Sequence, residues 1–225
     1  LIPAPLKSAS PQIKLDQMLT QSNLYKAAQT LAEIQLRYAQ SGRSLSDAAL
    51  CGAKEFIEWQ HYPNNDLVDE ASGYEFYYHS HSSDEMPKGE HGHFHVIKRA
   101  GESFHHLIGV ALDRQGLPVR LFTTNQWVAG EQMVSSEAVI QMIQLFEMNV
   151  KGRMAPVSNW LVALIEVFLP EIEVLVRGRD EKIAQLKLEL GGVELALNSK
   201  EHHVLTECKI DLMDRLSMHL SVVNS

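Results

Sequence analysis

Apolar residues change their spacing twice along this chain, and that change leaves few architectures open. From about Ile13 to Tyr38 the positions Leu15, Met18, Leu24, Ala28, Leu31 and Ile34 recur at helical intervals, with a break expected near Ser22-Asn23. Between residues 74 and 124 the pattern becomes short runs rich in aromatic and branched side chains (74–81, 91–99, 104–112 and 117–124), parted by glycine-containing turns. After Trp127 the helical spacing returns through Val139, Met142, Ile143 and Phe146, and again through Trp160, Leu161, Leu164, Ile165 and Phe168. The expectation is an α+β fold, in which a four-stranded antiparallel β-meander packs against N-terminal and C-terminal helices. Helices would lie within 13–60 and 135–222 and the sheet within 74–124, as one domain over 13–225. Residues 1–12, with Pro3, Pro5 and Pro11, read as an extended lead-in.

Local punctuation adds detail. Ser44 with Asp47 three residues on can cap a second helix, whose inner face would be Leu45, Ala48, Ala49, Phe56 and Trp59, ending in the polar stretch after His61. Pro170 suits the first turn of a helix over 171–190 that Gly191-Gly192 stops. Asp211 can cap a last helix using Met213, Leu216 and Leu220; the rest of 193–225 carries no clear period.

The polar residues point to a site. Five of the eleven histidines fall between positions 79 and 95. Alternate side chains of a strand share a face, so His79 and His81 form one row and His91, His93 and His95 another. If residues 82–90 close a hairpin, His79 meets His93 and His81 meets His91 across about 4.8 Å, with Tyr77 opposite His95. Neutral imidazoles so gathered suit a transition metal: iron or copper is favoured, with zinc or nickel the other possibilities. The expected ligands are His79, His81, His91, His93 and His95. Glu85 and Glu90 are the nearby carboxylates, and with Tyr77 they are the candidate catalytic residues. His106 joins the cluster only if the turn at 100–103 sets the right register. His61, His202, His203 and His219 read as surface or capping residues.

Other chemistries find no support. The sequence has no H-E-x-x-H, paired helical E-x-x-H, G-x-S-x-G or phosphate-binding glycine pattern. A formal charge of -8 argues against a nucleic-acid partner, and no apolar run approaches the ~20 residues of a membrane span. Cys51 and Cys208 form no metal or disulfide motif, which fits a cytoplasmic setting, with a removed export signal as the alternative. The function expected from the residues is a mononuclear non-haem iron or copper oxidoreductase acting on a small molecule. The alternatives are a non-catalytic metal carrier, store or sensor, and a zinc-dependent hydrolase. Oligomeric state is left open.

Two resemblances accompany this reading. His79-Ser80-His81 followed by Glu85 is similar to the first H-x-H-x-x-x-E motif of the cupins, a likeness of site chemistry over seven residues. The segments Glu90-His91-Gly92-His93-Phe94-His95, Gly116-Leu117-Pro118 and Leu121-Phe122-Thr123-Thr124-Asn125 resemble a family of bacterial proteins classed as a domain of unknown function. That resemblance spans Trp59 to about Leu190 and implies no activity.

Overall fold

A computed structural model describes residues 11–82 and 84–221 of the chain. The order of elements is α1 (Pro11–Gln40), α2 (Leu45–Ala49), β1 (Tyr62–Asp69), β2 (Tyr74–His79), β3 (Gly92–Ala100), β4 (Ser103–Leu112) and β5 (Pro118–Thr124). There follow α3 (Gln126–Ala129), α4 (Ser136–Gln144), α5 (Ala155–Val167), α6 (Leu169–Leu190), α7 (Val193–Leu197), β6 (Val204–Lys209) and α8 (Leu212–Leu220). The expected lead-in at 1–10 lies outside the described residues. At Pro11 and Gln12, which are described, the chain is already helical.

The fold is α+β, with one antiparallel sheet and helices drawn from both ends of the chain. The sheet has six strands in the order β1 to β6, two more than the sequence pattern suggested. Both additions are edge strands, which need to bury little. β1, Tyr-Pro-Asn-Asn-Asp-Leu-Val-Asp, carries turn-like residues and an irregular register between Tyr62 and Leu67, so it has no period-two signal. β6 is half exposed and reaches its place beside β5 only after five intervening helices. The sheet is open, and the cupin barrel is absent.

Central strands β2, β3 and β4 are buried along most of their length on both faces, which accounts for their dense aromatic and branched composition. One face carries Phe76, Tyr78, Phe94, Val96, Ile108 and Val110 into the main core, against Leu31 of α1, Leu45 of α2 and Trp160 and Leu164 of α5. Helix α1 packs on α5 and α8, and α6 runs beside β5, β6, α4 and α7. A smaller cluster of Leu186, Ala196 and Leu205 joins α6, α7 and β6.

Helix ends follow the capping chemistry. Ser44 and Asp47 form a reciprocal capping box on α2, and the Asp211 carboxylate accepts the Met213 and Asp214 N–H groups on α8. Pro170 sits in the first turn of α6, and Gly191 ends it in the left-handed conformation. Two expectations are corrected. Helix α1 runs without a break through Ser22-Asn23, and α2 stops at Ala49 rather than near Gln60. Phe56 and Trp59 therefore belong to an irregular strap, residues 50–61, in which Phe56 stacks on His91 and Trp59 on His81.

Gly109 shows how tightly the sheet is built. Phe122 of β5 lies directly opposite it, and a Cβ placed on Gly109 would stand 2.3–2.6 Å from three atoms of the Phe122 ring. The ring can lie across the strand only because no side chain is there. Gly109→Ala is expected to destabilise the fold by about 1–3 kcal/mol through overpacking. In a Phe122→Ala background the same change should cost much less, a non-additivity that urea unfolding of the four chains in the cycle would reveal.

Candidate metal centre

The β2–β3 pairing sets the site. Tyr77 lies opposite His95, Tyr78 opposite Phe94 and His79 opposite His93, the register expected from alternation and loop length. Odd-numbered positions of both strands share the face turned away from the main core. There the Nε2 atoms of His79 and His93 are 2.8 Å apart, and those of His79 and His95 are 3.2 Å apart. These three buried histidines form the one group among the described residues whose ligand atoms converge as an ion would require.

Burial pushes all three imidazoles toward the neutral form. His79 is lowered to about 3, mainly by loss of water and then by the neighbouring His81, while His93 and His95 fall well below the ordinary histidine value for the same first reason. Neutral imidazole is the form that ligates. Two nitrogens each about 2.1 Å from an ion at a tetrahedral angle stand about 3.4 Å apart, so the observed spacings need to open only slightly. Without an ion three Nε2 atoms crowd one point. The Nδ1 atoms of His79 and His93, which would carry the protons of imidazoles ligating through Nε2, are buried with no hydrogen-bond partner among the described residues.

The third ring is held differently. His95 Nδ1 lies 2.8 Å from His106 Nε2, so a proton on His95 Nδ1 would leave its Nε2 lone pair for the site. His106 reaches this position through a β-bulge. The register slips between Val96 and Ile97, leaving Leu107 as the extra residue of β4 and setting His106 opposite Ile97, on the same face as His95. In an unbroken ladder His106 would face Lys98 and turn to the opposite side. The Glu131 carboxylate accepts the His106 backbone N–H at 2.7 Å.

Around the three rings stands an aromatic shell. The Tyr77 ring stacks on His95 at 5.0 Å and on His61 at 3.7 Å, and His61 also meets His79 edge-on and lies 2.9 Å from Asp66 Oδ1. Phe122 stands edge-on to His93 and His95. His81 lies just past the end of β2, half-buried, with its ring 5.1 Å from both His79 and His93.

Beside the rings opens a cavity of about 420 Å³. His93, His95, Phe122 and Arg120 line it from the sheet, His81, Glu85 and Met86 from the β2–β3 loop, and His203 and Glu207 from the β6 side.

Not every sequence candidate comes to this point. His91 precedes the first residue of β3, where strand alternation no longer governs direction. Its Nδ1 lies 2.8 Å from the Tyr78 hydroxyl, and its ring stacks on Phe56. Gly92 makes this possible, since a Cβ there would stand 2.8 Å from the Tyr78 phenol. Glu90 is bound through both oxygens to Arg120, at 2.6 and 2.9 Å, and Arg120 in turn donates to Glu207. Glu85 reaches the cavity wall but is outside the converging group. Sequence reasoning set aside His203, which lines the cavity, and His61, which packs on Tyr77 and His79, and missed Glu131 altogether.

The chain belongs to the family described as Domain of unknown function (DUF6969), whose model matches residues 25–210. No curated protein and no solved structure matches it. No helix among the described residues is long and apolar enough to cross a membrane.

Burial raises the Glu131 carboxyl to about 7, against the opposing pull of the His106 N–H and of Arg179. A carboxyl raised on folding contributes stability that is complete below its unfolded value, near 4.5, and lost as pH climbs through 7. Glu131→Gln retains an acceptor for the His106 N–H without the buried charge. We expect it to match the parent chain near pH 4.5 and exceed it by up to about 3 kcal/mol at pH 8, measured by denaturant unfolding at both values.

Proposed function

We propose that this member of the family is a transition-metal protein in which His79, His93 and His95 hold one ion through Nε2 and leave a coordination position facing the cavity. The observation that carries the reading is the convergence of three buried, neutral Nε2 atoms beside a space of about 420 Å³, within the range of small-molecule sites. A carrier or store would surround its ion and would need no such space. Adjacency of two of the three ligands to the cavity favours an enzyme.

The donor set bears on the metal. No carboxylate stands in the converging group to make the two-histidine, one-carboxylate set of non-haem iron enzymes: Arg120 holds both oxygens of Glu90, and Glu85 lies on the cavity wall outside the group. An all-imidazole set suits copper or zinc, and we favour these over iron or nickel. Such an ion would polarise a group bound in the open position, lower the pKa of a bound water toward ~7, or exchange electrons if it is copper. The retained metal thus separates an oxidoreductase from a hydrolase.

The chain's own residues do the rest. His106 fixes the direction of His95, and Phe122 and Tyr77 keep water from two sides of the rings. Arg120, held between Glu90 and Glu207, sets a fixed cation in the cavity wall. Glu85 is the carboxylate with no ion-pair partner among the described residues that line the cavity, and we assign it any proton transfer to a bound substrate.

Protein purified without an affinity tag should carry about one copper or zinc ion per chain by elemental analysis. His79→Ala and His93→Ala should each lose it, whereas His91→Ala and His105→Ala should keep it. His105 serves as the internal control, its Nδ1–H donating to the Gln132 carbonyl. Metal content near zero in the parent chain, or unchanged by both of the first two substitutions, overturns the reading.

A further inference from the structure

The ring of His81 stands almost as close to the members of the candidate site as they stand to one another. Its centroid is 5.1 Å from His79 and from His93, while within the group His79 is 4.6 Å from His93 and 5.0 Å from His95, and His93 is 5.0 Å from His95. Yet its nitrogens are not in the converging set. The ring is a neighbour of the set without being a member of it.

His81 also differs from the three in how it is held. His79, His93 and His95 sit in the β2–β3 ladder. His81 lies in the loop past the end of β2, its backbone N–H meeting only the Met86 sulfur, and no hydrogen bond to its ring occurs among the described residues. What holds the ring is Trp59. The indole lies flat on it, 4.3 Å away and within 10° of parallel. Trp59 itself is fixed by a 2.8 Å bond from its backbone N–H to the Ser80 carbonyl and by a left-handed backbone at φ 68°, although its side chain is more than half exposed. An exposed tryptophan in that conformation has no packing role in the core. It covers one histidine.

His81 further divides two spaces, lining both the 420 Å³ cavity and the neighbouring pocket that holds His91, Phe56 and Arg114. A swing of its ring would change access from that side.

We infer that His81 is a displaceable fourth ligand: it can swing into the cavity-facing coordination position that the three histidines leave, and yields that position to a small donor ligand entering the cavity, with Trp59 as the residue that positions it. This rests on the three-histidine reading above. The three strand histidines are the permanent ligands, and the loop histidine is the exchangeable one. Trp59 keeps the imidazole within reach in both states.

Cobalt(II) as the metal and azide as the entering ligand provide the test, since the visible spectrum of cobalt(II) reports coordination number and donor type. In the parent chain azide should displace an imidazole and bind weakly. His81→Ala should weaken cobalt(II) binding about tenfold or more and tighten azide binding about tenfold, because no ligand need leave. Trp59→Ala, which leaves the imidazole in place and removes only an exposed ring, should move the spectrum and the azide affinity in the same direction by a smaller amount. Trp59→Phe should restore both. If His81→Ala and Trp59→Ala match the parent in spectrum and azide affinity while His93→Ala abolishes cobalt(II) binding, the triad stands and the role of His81 is wrong. If the parent chain does not bind cobalt(II), or His93→Ala binds it undiminished, both readings fall.

Discussion

The pairing of β2 with β3 is the constraint on which the site depends. A strand has a period of two, so a slip of one residue between these strands would turn His79 away from His93 and deliver both rows to different faces. The register is fixed from behind. Phe76, Tyr78, Phe94 and Val96 fill the core against α1, α2 and α5, and their burial specifies which positions face the other way. The hydrophobic core and the polar site are thus alternate residues of the same two strands. Neither can be shifted without the other.

Around that frame, each neighbouring strand contributes through a local irregularity. A bulge in β4 turns His106 onto the histidine face and frees the N–H that Glu131 accepts. The missing side chain at Gly109 lets Phe122 lie across β4 and form a wall. The missing side chain at Gly92 lets Tyr78 reach His91. The irregular register of β1 accompanies the placing of His61 over Tyr77.

What could be read in the sequence follows from which interactions are local. Alternation and a loop of fixed length were enough for the opposition of His79 with His93 and of Tyr77 with His95, because both strands belong to one hairpin. The helix caps at Ser44 and Asp211 and the stop at Gly191 were legible for the same reason. His91 was misread because alternation was extended one residue beyond the strand. The edge strands β1 and β6, the place of His61 and the buried Glu131 depend on contacts distant in sequence, and no periodicity announces them. Membership of the DUF6969 family agrees with the segments around His93 and Phe122 that resembled it, and brings no chemistry with it.

The three converging histidines lie within a single hairpin, between positions 79 and 95. Donors so near in sequence need little loop closure to meet, so a denatured chain retains part of its attraction for the same ion. Binding to the unfolded state subtracts from any stabilisation the ion gives the native one, which is set by the difference of the two affinities. Metal would then report on the hairpin more than on the whole fold. On that reading a nascent chain could take up an ion as soon as residue 95 has emerged, before α4 to α8 have been made.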